Sequence, residues 1–137
     1  MSATTHPVTI AGYSHLAISV SDLEASRRFY CDLLGFEELR RPDFGIPGMW
    51  LRVGTLQLHM IEVAEVHAPG PGMPHFALHV PTERYEATMA ALRDGGARFT
   101  FEPRSRDDFG RTVWAAFVAD PSGNIIELTD VGPLPAA

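Results

Sequence analysis

The sequence predicts an α+β fold, two tandem βαβββ units curled into a half-open eight-stranded barrel. Three observations carry that expectation. The run "HLAISV" at His15–Val20 returns sixty positions later as "HFALHV" at His75–Val80. After each run the chain can be read as a helix and then three strands, a repetition of one supersecondary unit. A unit of this kind has a helix on one face of its sheet only, so the other face is a concave surface in need of a partner.

The elements follow in order. Tyr13 to Val20 alternates as a strand, with His15, Ala17 and Ser19 on one face. In "SDLEASRRFYCDLLGF", Ser21 and Glu24 have the spacing of a capping box, Leu23, Ser26, Tyr30, Leu33 and Leu34, with Phe29, form the inward stripe, and Gly35 ends the helix. "FEELRR" is a short strand and "PDFGIPG" a loop. "MWLRVG" and "LQLHMIEV" form a hairpin turned at Gly54-Thr55. The first unit spans about 11–63, and "AEVHAPGPGMP", residues 64–74, is the linker.

The second unit, about 75–131, repeats the order within what reads as a single domain over 1–137. "PTERYEATMAALRDGG" is a helix with Thr82 as N-cap and Tyr85, Met89 and Leu92 on its stripe. "ARFTFEP" is a strand, "RSRDDFG" a loop, and "RTVWAAFV" with "NIIELTD" a hairpin closed by "ADPSG". In the internal alignment His15 falls on His75 and Trp50 on Trp114. With the four extra residues of the "DPSG" turn set aside, His59 falls on Glu127.

Composition narrows the function. A net charge of −6, with eleven arginines and no lysine supplying the basic residues, gives no cationic footprint for nucleic acid or an anionic membrane. There is no transmembrane-length apolar run and no secretory leader pattern at the start, and a single cysteine, Cys31, is compatible with a cytoplasmic setting. Cys31 lies in an apolar-periodic stretch with no base beside it and reads as a small core hydrophobe. "DDFGR" lacks the companion motifs of a kinase.

The chemistry lies in His15, His59, His75 and Glu127. Period-two alternation points His15 and His75 from the inward faces of the paired first strands, and Ala17 and Ala77 leave room beside each imidazole. Three imidazoles and one carboxylate converging in a shared cup suit a single divalent ion such as Zn, Ni, Co, Fe or Mn better than calcium. His79 points the same way as His75. Glu62, an odd step from His59, is expected on the opposite face and in solvent, and His6 and His67 read as surface residues. Trp50, Met60, Trp114 and Phe117 are candidates for pocket walls or core, with core favoured.

The stretches "HLAISVSDLEASRRFYCDLLGF", "LQLHMIE", "HFALHV" and "FVADPSGNIIELTD" together resemble the vicinal oxygen chelate superfamily of glyoxalase I, methylmalonyl-CoA epimerase, bleomycin resistance proteins, extradiol dioxygenases and fosfomycin-resistance transferases. The resemblance covers about 11–131. It implies a metal inside an open barrel, with His15, His75 and Glu127 at the three commonest ligand positions. His59 stands at a fourth position, where glyoxalase I has glutamate or glutamine. The expected activity is a metal-dependent glyoxalase-like lyase or isomerase on a small substrate that chelates through adjacent oxygens, with Glu127 as ligand and base. If His59 does not bind, the remaining triad implies an Fe(II) extradiol-type dioxygenase. A non-catalytic protein that sequesters a drug or metabolite is the third reading. Related short chains pair as homodimers, with the site within one chain or shared between two. Arg40, Arg41, Arg104 and Arg111 are possible anion contacts.

Overall fold

The computed structural model describes residues 6–67, 69 and 72–133. The ends of the linker lie within these residues, whereas Ala68, Gly70, Pro71 and the last four residues of the tail lie outside them. The first unit runs β1 (His15–Val20), α1 (Leu23–Arg27), a π-helical segment (Arg28–Leu33), β2 (Glu37–Leu39), β3 (Gly48–Val53) and β4 (Leu56–Glu62). The second runs β5 (Phe76–His79), α2 (Thr82–Asp94), β6 (Arg98–Arg106), β7 (Val113–Ala119) and β8 (Ile125–Thr129).

The strands form two separate four-stranded sheets, ordered β1-β4-β3-β2 and β5-β8-β7-β6. In each, the first strand runs parallel to the last and the other neighbours are antiparallel. The expected half-open eight-stranded barrel is therefore corrected: among the described residues no ladder joins the two sheets. The reason lies in what covers the apolar faces. Met49, Leu51, Leu58 and Met60 of the first sheet and Ala116, Val118, Ile126 and Leu128 of the second are buried in one continuous core with Phe29, Tyr30, Tyr85, Met89 and Leu92 of the helical segments. Burying each large apolar side chain contributes roughly 1.5–3 kcal/mol, so the units meet through their helical sides and not edge to edge.

Polar contacts fix that meeting. The Tyr30 hydroxyl donates to Asp120 Oδ2 at 2.8 Å, the Ser21 N–H to Ser122 Oγ at 3.0 Å, and the Asn124 side-chain amide to the Ser19 carbonyl at 2.9 Å. Asp120 also accepts from the N–H groups of Ser122 and Asn124, so the β7–β8 turn is an organised polar knot beneath the first unit. At the far end of α2, Gly95 meets Leu33 so closely that a Cβ on Gly95 would lie 2.3 Å from Leu33 Cδ1.

Local chemistry departs from expectation at several ends. The N-cap of α1 is Asp22, which accepts from Ala25 N–H at 3.0 Å, not Ser21, whose backbone and hydroxyl are turned to Ser122. The helix then widens: Leu34 N–H donates to the Phe29 carbonyl five residues back, which identifies the π turn. Thr82 does not cap α2 through its side chain; Pro81 holds the cap position and the Thr82 hydroxyl donates to Asp130 at 2.8 Å. Strand β6 continues through Arg104-Ser105-Arg106, which reads as loop from sequence, because those residues pair with β7 beyond a register shift. The β3–β4 turn at Gly54-Thr55 is as expected, with Gly54 at φ +58°.

Candidate metal-binding half-sites

Each sheet has its helix side buried and its other side open, and the four candidate ligands lie on the open sides. On β4, Leu58 and Met60 are buried while Gln57 and His59 turn outward. On β8, Ile126 and Leu128 are buried while Glu127 turns outward. The registers are equivalent. Ala17 of β1 and Trp50 of β3 flank His59, and Ala77 of β5 and Phe117 of β7 flank Glu127. His59 and Glu127 thus occupy the same place in the two sheets. The aromatic counterpart of Trp50 is Phe117, not Trp114 as the internal alignment suggests. Trp114 lies on the helix side, its ring 6.2 Å from that of Tyr85, and Met60 is core.

The first pair is His15 with His59. Their rings stack with centroids 4.0 Å apart, and His59 is stacked on its other side by Trp50 at 4.2 Å and 5°. The His59 Nε2–H donates to Gln57 Oε1 at 2.8 Å, which leaves Nδ1 with its lone pair. Burial, then the charges of His15 and Arg41, hold the His59 pKa below its ordinary 6.5. The ring is accordingly neutral at pH 7, the form that coordinates metal. His15 Nδ1 is 3.0 Å from the Ser14 hydroxyl.

The second pair is His75 with Glu127. His75 Nδ1–H donates to the Gly72 carbonyl at 2.5 Å, and Nε2 faces Glu127 Oε1 at 3.0 Å. With the proton on Nδ1, the Nε2 lone pair points at a carboxylate oxygen. Two electron pairs so placed are reconciled by a positive centre between them, a proton or a metal ion. Phe117 lies against the imidazole, its centroid 5.0 Å away.

The structure brings these residues together two by two. Among the described residues, no three His, Cys, Asp or Glu side chains gather as a shell within one chain. The donor types nevertheless fit a divalent ion, since each half-site offers lone pairs whose competing protons are tied to Gln57 or Gly72.

Of the other candidates, His79 and Arg104 share clefts with Glu127 and the rest lie apart. His79 is exposed and lines a cleft of about 990 Å³ with Arg84, Leu56 and Phe36. His6 and His67 are exposed. Glu62 is not in solvent; its Oε2 accepts from the Leu23 N–H at 2.9 Å and so serves the start of α1. Cys31 packs against the core, and burial raises its thiol pKa. Arg111 is engaged with Asp130 and the Thr112 carbonyl, while Arg104 lies over Phe101 in a cleft of about 590 Å³ that includes Phe117 and Glu127. Sequence reading missed Gln57 and Phe44. Gln57 is signalled only by standing two residues before His59 on the same strand face.

The model of the Glyoxalase/Bleomycin resistance protein/Dioxygenase superfamily matches residues 12–128, and the chain belongs to that superfamily, the vicinal oxygen chelate proteins. A Synechocystis sp. protein named "Probable lactoylglutathione lyase" is 36% identical over 123 residues, covering 83% of this chain and 91% of its own. An integron cassette protein from the Halifax Harbour sewage outfall metagenome superposes with a TM-score of 0.71 at 25% identity, over 89% of this chain and all of its own. The fosfomycin resistance protein FosX of Listeria monocytogenes does so with a TM-score of 0.75 at 17% identity, over 88% of this chain and 93% of its own. A single-residue variant of that FosX was solved with Mn(II) and 1S,2S-dihydroxypropylphosphonic acid (TM-score 0.74, 19% identity, 91% of this chain and 94% of its own).

Proposed function

We propose that the protein is a divalent-metal-dependent lyase or isomerase of the glyoxalase type, acting on a small substrate that binds through adjacent oxygens. The observation that carries the reading is the equivalent register of His59 and Glu127, each with a histidine beside it on the open side of its sheet. The names of the Synechocystis relative and of the Mn(II)-bound FosX variant support it.

His15, His59, His75 and Glu127 would hold the ion, with the first two supplied by one copy of the chain and the last two by a second copy in a homodimer. An ion held there would supply Lewis acidity toward a substrate carbonyl. Trp50 and Phe117 wall the site with aromatic surface, limit water and keep the imidazoles in place. Glu127, the carboxylate of the set, would take a proton from the hydroxyl-bearing carbon beside the carbonyl and return it to the carbonyl carbon, while the hydroxyl proton passes to the former carbonyl oxygen. No co-reactant is consumed and the product is an isomer. His59 lies beyond this exchange as a neutral nitrogen donor.

Elemental analysis of the purified protein and of His15→Ala, His59→Ala, His75→Ala and Glu127→Ala tests the ligand set. Near-stoichiometric metal in the parent and loss in all four variants is expected. Metal kept by any one of them removes that residue from the shell, and no metal in the parent sinks the reading.

A further inference from the structure

Near the His59 half-site stands the guanidinium of Arg41, which has no carboxylate partner among the described residues. Arg41 lies in the loop between β2 and β3, against Gly48, where a Cβ would come within 2.7 Å of Cζ and 2.8 Å of Nη2. Gly48 is two residues from Trp50 on β3, so both belong to the open side of the first sheet. The missing side chain of Gly48 is the space the guanidinium occupies. The Phe44 ring covers it from above, with its centroid 5.0 Å from Cζ and 6.0 Å from the Trp50 ring.

The donors of Arg41 are incompletely used. Nη1–H donates to the Ile46 carbonyl at 3.0 Å. Nε is shielded from solvent and has no acceptor among the described residues. Asp43, close in sequence, accepts from Gly45 N–H at 2.9 Å instead. The remaining edge, Nε with Nη2, is the fork that takes two oxygens of a carboxylate or phosphonate at once. Phe44, a ring 57% exposed, lies over the face of the guanidinium and can be displaced by an entering ligand. Of the four arginines singled out from sequence, Arg111 is spent on Asp130, Arg40 is an exposed loop residue, and Arg104 lies over Phe101 on the side of Glu127. Arg41 is linked to the His59 half-site through Phe44 and Trp50, whose ring stacks on the imidazole.

We propose that Arg41 is an oxyanion-binding residue of the site, so that the substrate carries a carboxylate or phosphonate in addition to its chelating oxygens. The proposal rests on the reading that His59 belongs to the metal site. Phe44, Trp50 and Gly48 are the positioning residues that hold the fork beside the half-site.

Two measurements test it on the full-length chain. In the metal-free protein the Arg41 Nε–H resonance, assigned by its loss in Arg41→Lys, is followed while acetate or methylphosphonate is added. A saturable downfield movement is expected, and the anion that moves it at lower concentration identifies the class. No movement with either overturns the proposal, whatever the metal content. In the metal-loaded protein, affinities are compared for acetohydroxamate, succinate monohydroxamate and phosphonoacetohydroxamate. At least one anionic probe is expected to bind about tenfold more tightly than acetohydroxamate. Arg41→Gln should abolish that preference without changing metal content or acetohydroxamate affinity, and Arg40→Gln should keep it. An unchanged preference in Arg41→Gln overturns the proposal. A chain that holds no metal overturns the preceding section, and the Nε–H titration then decides the anion site alone.

Discussion

His75 Nε2, just ahead of β5, and Glu127 Oε1, on the adjacent parallel β8, face each other across 3.0 Å, with the other imidazole nitrogen already committed to the Gly72 carbonyl. Replacing Glu127 by Gln keeps the shape and removes the anionic oxygen. Glu127→Gln should therefore weaken metal binding by at least about 100-fold, beyond what loss of an outer partner of a ligand costs, while leaving the unfolding midpoint of the metal-free protein close to that of the parent. Competition with a chromogenic chelator measures the first and urea unfolding the second.

The proposed sharing of the site between two copies has a distinctive consequence. His59→Ala and Glu127→Gln each spoil every site in their own homodimers. In a mixed dimer one site collects both defects and the other collects neither. Refolding an equal mixture should restore metal to about one quarter of the sites, the statistical share for a two-fold dimer. A mixture no better than its separate components would place the whole site within one chain.

His59 is neutral at pH 7 because burial, His15 and Arg41 all oppose its protonation. In the metal-free protein its imidazole resonances should titrate with a midpoint below 6.5, and Trp50→Ala should move that midpoint upward by opening one face of the ring to water. The unfolded chain takes this proton first as pH falls, so the contribution of His59 to stability declines from about pH 6.5 downward.

Tyr30 ties the first unit to the second through Asp120, and burial followed by the Asp120 charge drives its phenol pKa far upward, so the hydroxyl always donates. Tyr30→Phe removes that donor. Asp120 keeps the N–H groups of Ser122 and Asn124 and the Asn124 side-chain amide, so the loss should be about 1.5 kcal/mol, the low end for a bond to a charged group. Urea unfolding should show a lower midpoint at an unchanged slope.

Asp130 gives the fold an acid limit. Burial raises its pKa, but the Trp114 N–H, the Thr82 hydroxyl and the Arg111 guanidinium outweigh burial and hold it below 3.8. The unfolded carboxyl protonates first, so this stabilisation is complete above pH 3.8 and is lost as pH falls through the lower folded value. Asp130→Asn should cost about 1–3 kcal/mol near pH 7 and lose less than the parent on acidification. Unfolding curves along a pH series provide the check.

Period-two and helical patterns were enough to read both hairpins and the place of His59 and Glu127, because alternation fixes the face of a strand from sequence alone. They could not show what each apolar face packs against. That choice depends on Tyr30 meeting Asp120 ninety positions away, and on Leu33 meeting Gly95. The same limit hid the role of Glu62, which turns from solvent to the Leu23 N–H only because β4 ends beside α1. Pairing Trp50 with Trp114 failed for a different reason. Setting aside the whole "DPSG" turn made Trp114 the match, whereas the ladders pair Glu127 with Phe117 as they pair His59 with Trp50.

The π turn at Arg28–Leu33 sets the phase of everything downstream in that segment. One residue more than an α-helix needs is accommodated there, and this extra spacing is what turns both Phe29 and Tyr30 inward. The segment should accept many changes of letter but not a change in length. Deleting a single residue would tighten the coil and swing the phenol away from its carboxylate by roughly a quarter turn, unlatching one unit from the other more thoroughly than removing the hydroxyl itself.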